Sequence, residues 1–93
     1  MTTTLSEEEF KNGLLFLKQN NLEKAIKAFE IAYKEDKENA KCMSYYGLCV
    51  ALKLGEIGLG LELCTKAIKK EFYKTEYYIN LGKTLEAKRL KDK

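Results

Sequence analysis

Leu22, Ala25, Ile26, Phe29, Ala32 and Tyr33 stand at offsets of 0, 3, 4, 7, 10 and 11, and 35 residues later Ile57, Gly60, Leu61, Cys64, Ala67 and Ile68 repeat the same offsets. Steps of three and four place side chains on one face of an α-helix, whereas a strand would alternate. Such a stripe cannot hide from water by itself. Its return at a fixed interval means that two similar units face the same burial problem, which stacked helices solve by covering one another.

The segments in front of the two stripes repeat as well. Gly13, Gly47 and Gly82 recur at intervals of 34 and 35 residues. Gly13 is followed by Phe16; Gly47 is framed by Met43, Tyr46 and Val50; Gly82 is framed by Tyr78, Leu81 and Leu85. A glycine inside a helix costs about 1 kcal/mol relative to alanine. Each of the three therefore needs a compensating gain, and close approach of a neighbouring helix is the expected one.

The 93 residues contain no proline, which together with the helical spacing predicts an all-α chain. Ser6 and Glu9 have the spacing of a capping box, with Leu5 and Phe10 as the flanking staple. Asn21 is placed to cap the second helix, and Gly55 to end the third. The reading is five helices at about 7–19, 22–35, 40–54, 57–70 and 75–89, stacked as antiparallel hairpins in a right-handed array.

These residues resemble the tetratricopeptide repeat, a helix-turn-helix unit of about 34 residues. Gly13, Phe16, Ala25, Phe29 and Ala32 fall on that pattern without a gap in a first unit, residues 6–39. A second unit, 40–74, offers Met43, Tyr46, Gly47, Val50, Gly60, Cys64 and Ala67, with one inserted residue near Leu54 and Gly55. A half unit, 75–89, carries Tyr78, Leu81, Gly82 and Leu85. Glu9 stands where the family prefers an aromatic, and neither unit closes on a proline. The last helix reads either as a solvent-facing cap or as the start of a further repeat. The chain is expected to form a single domain, 1–93, or to be part of a longer array.

The resemblance implies that the first helices of successive units line a concave groove. The groove residues are then Phe10, Leu14, Leu17, Lys18, Lys41, Tyr45, Leu48, Ile79 and Lys83, with Glu76 and Asn80 beside them. The apolar members lie off the core stripe, which is unexplained if that face meets only water. A protein or peptide partner would explain it. Burying five such side chains gives roughly 8–15 kcal/mol gross, most of it offset by association costs, so micromolar binding is expected. Lys18, Lys41 and Lys83 favour an acidic or carboxylate-bearing partner. Two other readings stay open: the same residues pack on one another in a tightly curved array, or they cover an absent segment or a second copy of the chain. Self-association or intramolecular packing through the last helix is thus the alternative function. A specialised form of the family clamps chaperone C-terminal tails with lysines, asparagines and arginine. Phe10, Leu14, Glu76 and Asn80 stand at four of those positions and do not match.

Other functions find little support. The chain has no histidine, so the commonest general base and metal ligand is missing, and no nucleophile or phosphate-loop motif occurs. An enzyme is not expected, and neither a cofactor nor a metal. Cys42, Cys49 and Cys64 lack CxxC spacing and read as core fillers in a reducing compartment. Cys42 and Cys49 would lie roughly 10 Å apart along one helix, beyond disulfide reach. The net charge of +3 divides into −2 over residues 1–40 (six lysines, eight acids) and +5 over 41–93 (eleven basic, six acidic residues). Arg89 is the only arginine, so nucleic acid is disfavoured. Lys69, Lys70, Phe72, Tyr73 and Lys74 leave weak binding to nucleic acid or an anionic membrane surface as a lesser reading. No uncharged run is long enough for a membrane span, and the N-terminus lacks the basic and apolar parts of a secretory signal, so a cytoplasmic address is expected.

Overall fold

The computed structural model describes residues 4–92; Met1–Thr3 and Lys93, which the sequence reading includes in the same domain, lie outside the described residues. The described residues form five α-helices and no strand: α1 Leu5–Lys18, α2 Leu22–Glu35, α3 Ala40–Leu54, α4 Ile57–Lys70 and α5 Thr75–Lys91. α1 packs with α2 and α3 with α4 as hairpins, α2 joins the two hairpins through α3, and α5 rests on both α3 and α4. The result is an all-α, repeat-like array of 48 × 27 × 20 Å.

Local chemistry sets the helix ends. The Asn21 side chain accepts a hydrogen bond from the Lys24 amide at 3.1 Å, and Asn39 Oδ1 accepts from the Lys41 and Cys42 amides at 2.9 and 3.4 Å. These satisfy amides that a helix start leaves without an internal partner. Gly55 closes α3 at φ 70°, a left-handed conformation that glycine adopts without a Cβ penalty, and the Glu56 amide then reaches back to the Val50 carbonyl.

The first cap differs from the expected one. α1 starts two residues early because Thr4, not Ser6, is the capping residue: its Oγ1 accepts from the Glu7 amide at 3.1 Å. Ser6 is buried instead, its hydroxyl donating to the Ala32 carbonyl at 3.0 Å. Leu5 is exposed and forms no staple.

The stripes do bury one another. Phe29, Ala25 and Ala32 of α2 form a core with Phe10, Cys42 and Cys49. Leu63 and Ala67 of α4 form a second core with Ala40, Met43 and Tyr77. Cys42, Cys49 and Cys64 are buried free thiols, and burial pushes Cys49 up to about 12. The sulfur stays protonated at neutral pH and unreactive.

Two glycines of the register have the expected close neighbours and the third does not. A Cβ on Gly13 would lie 2.5 Å from the Phe29 ring, and one on Gly47 would lie 2.9 Å from Leu63 Cβ and 3.0 Å from the Gly60 carbonyl. At Gly82 nothing lies within 4 Å. No helix packs on that side of α5, which turns Tyr77, Asn80 and Thr84 inward instead. Tyr78 and Leu85, which continue the core pattern in the sequence, are left 48% exposed.

This contrast yields a prediction. Gly82→Ala should stabilise the chain by about 1 kcal/mol, the helix-propensity gain. Gly47→Ala should destabilise it by about 1–3 kcal/mol, because the new methyl meets backbone on α4 that must shift. Urea unfolding of both variants measures the difference, and equal midpoints would remove the close-packing account of Gly47.

Candidate functional site

α1 and α5 flank α3 on one side of the array, and the space between them is a groove of about 580 Å³. α1 supplies Lys11, Leu14, Leu15, Leu17 and Lys18; α3 supplies Tyr45; α5 supplies Glu76, Ile79, Asn80 and Lys83. The spacing explains the set. Lys11, Leu14, Leu15 and Lys18 recur every three to four residues along α1, and Glu76, Ile79, Asn80 and Lys83 do the same along α5.

Tyr45 lies at the junction of the groove and the core. Its ring stacks on Phe29 at 5.5 Å between centroids and meets Phe10 edge-on at 5.4 Å. Phe10 and Phe29 are 5.6 Å apart, closing an aromatic triangle among α1, α2 and α3. Both spacing and tilt suit aromatic rings, whose edges and faces carry opposite partial charge. Burial raises the Tyr45 phenol above its usual range, and the Glu76 carboxylate beside it adds to the effect.

On the α5 side the groove rests on a buried polar seam. Asn80 Nδ2 donates to Ser44 Oγ at 2.9 Å, Thr84 Oγ1 donates to the Asn80 carbonyl at 2.9 Å, and Cys64 Sγ lies 3.7 Å from Thr84 Oγ1. No buried side-chain nitrogen or oxygen among the described residues lacks a partner. The seam therefore has no unmet hydrogen bond to offer a ligand. What remains for one is the apolar wall and the lysines.

Those lysines are free of local partners. The ion pairs among the described residues involve Lys34, Lys66, Lys70, Lys88 and Arg89, and none involves Lys11, Lys18 or Lys83. Glu76 is the single carboxylate on the groove wall. The groove thus presents Leu14, Leu15, Leu17 and Ile79 between three cations and one anion.

The sequence-derived residues divide among three places. Leu14, Leu17, Lys18, Tyr45, Ile79 and Lys83 come together in this groove. Phe10 and Lys41 lie instead in a separate hollow of about 260 Å³ with Ser6 and Asn39. Phe10 is only 9% exposed, a core residue, and the Lys41 ammonium sits 5.3 Å over its ring. Leu48 lines neither hollow; it is 1% exposed, because α2, α4 and α5 all pack on α3 and bury nine of its fifteen residues. Ser44 and Ala51 on the same helix are buried for the same reason. Lys11 and Leu15 escaped the sequence reading, although Lys11 stands two turns before Lys18 on the same helix face.

Among the described residues no group of three His, Cys, Asp or Glu side chains is placed to hold a metal ion, and no helix is long and apolar enough to cross a membrane. Compared with models of protein families and with curated protein sequences, the chain matches none.

The buried phenols and thiols make stability sensitive to alkali. Burial raises Tyr45, carries Tyr46 to about 12 with help from Glu30, and raises Cys42, Cys49 and Cys64. In the unfolded chain these groups ionise near their ordinary values of 9.0 for thiols and 10.0 for phenols. Above those values the unfolded state binds fewer protons than the native one. Stability is therefore complete below pH about 9 and falls as pH rises toward 12. Urea midpoints followed across that range should decline, and the Tyr45 phenol should titrate at lower pH in Glu76→Gln. A midpoint independent of pH would contradict the burial of these groups.

Proposed function

We propose that the chain is a non-catalytic, tetratricopeptide-like interaction module that binds a peptide or partner segment in the groove between α1 and α5. The observation that carries this reading is the groove wall itself. Leu14, Leu15, Leu17, Tyr45 and Ile79 form a continuous apolar surface in a hollow of about 580 Å³, edged by Lys11, Lys18 and Lys83 without acidic partners. An apolar concavity with a few charges at its edge is the usual form of a recognition site, and a groove between helices suits an extended or helical segment.

The lysine excess favours an acidic segment with apolar anchors. The likeness to the tetratricopeptide pattern supports the reading through the Gly13 and Gly47 register and the paired stripes. The absence of histidine from the sequence and the high proton affinity of the buried thiols speak against catalysis. Three unpaired thiols suit a reducing compartment such as the cytoplasm.

Peptides selected from a displayed random library against the whole chain provide the test. Their affinity should drop about tenfold or more in Leu14→Glu/Ile79→Glu, since each buried apolar anchor contributes about 1.5–3 kcal/mol. Lys18→Ala/Lys83→Ala should flatten the salt dependence of binding. Peptides that bind Leu14→Glu/Ile79→Glu as tightly as the native chain would move the site off the groove.

A further inference from the structure

Gly82 poses a problem that the chain solves elsewhere. Around Gly47, Met43 and Val50 are 6% and 0% exposed, and Met43 packs with Leu63 and Ala67 of α4. Tyr78 and Leu85 stand at the same distances from Gly82, are 48% exposed, and nothing lies within 4 Å of a Cβ built on Gly82. Leu81 matches Tyr46, and both are half-buried. One strip is thus covered and its counterpart is bare. The Tyr78 hydroxyl donates to the Phe72 carbonyl at 2.7 Å, and α5 packs on the array through Tyr77, Asn80 and Thr84 on another face. The bare strip also lies apart from the groove, to which α5 turns Glu76, Ile79 and Lys83.

We propose that this outer face of α5 is a docking face for an amphipathic helix of a partner protein, lying antiparallel to α5 as α4 lies on α3. The covered strip specifies the chemistry of that helix. α4 brings Gly60 against Gly47 and Ala51, and then Leu63 one turn later against Gly47. Leu63 and Ala67 go on to pack with Met43. The docking helix accordingly has a small residue at the Gly82 crossing and a leucine one turn further on, toward Tyr78. Its N-terminal end is polar, because Glu86 and Arg89, an ion pair, occupy the positions that correspond to Ala51 and Leu54.

A second copy of the chain fits this face less well. Two α5 helices related by a twofold axis at Gly82 would bring Glu86 of each against Tyr78 of the other. That sets a carboxylate on apolar surface without a new partner, which is costly. The faces by which α2 and α4 would serve are already engaged with α1 and α3.

A synthetic peptide with the sequence of residues 56–71, the segment that covers the counterpart strip, is the probe. Titrated into isotope-labelled chain, it should shift the amide signals of Tyr78, Leu81, Gly82 and Leu85. Gly82→Ile, whose side chain has free space in the unliganded chain, should weaken binding about tenfold or more, while Leu14→Glu should leave it unchanged. That last variant separates this face from the groove, so either can fail alone. The proposal is overturned if the peptide shifts no signals at millimolar concentration, if it shifts groove residues instead, or if Gly82→Ile binds as well as the native chain. A dimer in sedimentation equilibrium that Gly82→Ile abolishes would equally overturn it, assigning the face to a second copy.

Discussion

The crossing of α3 and α4 at Gly47 and Gly60 leaves no room for a side chain on either helix. A Cβ on Gly60 would stand 2.7 Å from the Gly47 carbonyl, and one on Gly47 would stand 3.0 Å from the Gly60 carbonyl. Two backbones in such contact fix the distance between their axes more firmly than interlocking side chains do, because no rotamer can yield. α3 is held close to α4 in this way and still meets α2 and α5 on other sides. Its short or compact residues, Ala40, Cys42, Ser44, Cys49, Val50 and Ala51, match that role. Large residues there would push the neighbours apart.

From the central position of α3 follows the position of α5. Ser44 offers a hydroxyl where a larger apolar residue would have kept α5 away, and Asn80 donates to it at 2.9 Å. Thr84 and Cys64 extend the same seam on the α4 side. A polar contact of this kind contributes little net energy but is costly to leave half-made, so it selects one register of α5 over its neighbours. With α5 seated on Ser44, Tyr45 stays half-buried between it and α1. The groove exists because α1 and α5 both lean on α3 without closing on one another.

The sequence was legible where periodicity alone decides the outcome. The stripe from Leu22 to Tyr33 and its counterpart from Ile57 to Ile68 have one apolar side each, so helix type, approximate ends and buried face follow together. Gly13, Gly47 and Gly55 were readable because their costs demand a structural reason. Leu48 and Phe10 were not, since both are buried by helices arriving from a third direction, which no single helix encodes. Ser6 misled through its chemistry: a serine at a helix start is a good cap, but here Thr4 two residues earlier serves, and Ser6 bonds to Ala32 across the hairpin. Thr84 was hidden for the opposite reason, as a polar residue at a buried position, and Asn80, read beside the groove, is buried on Ser44 as well as lining it. Within the groove, Leu14, Leu17, Lys18, Tyr45, Ile79 and Lys83 could be placed by counting from the glycines, whereas Lys11 is found by counting two turns back from Lys18 along the same face of α1.

α5 explains why counting stops working near the end of the array. A helix that buries one face shows a clean stripe, and α2 does. α5 has three faces with separate surroundings: Tyr77, Asn80 and Thr84 inward, Glu76, Ile79 and Lys83 along the groove, and Tyr78, Gly82 and Leu85 outward. Three sets at helical spacing overlap in sequence and blur the pattern, so that Tyr77, Tyr78 and Ile79, adjacent in the chain, belong to different surroundings. The second and third also carry apolar residues, Ile79 on the groove wall and Tyr78 and Leu85 outward, so no single stripe marks which face of α5 the array buries.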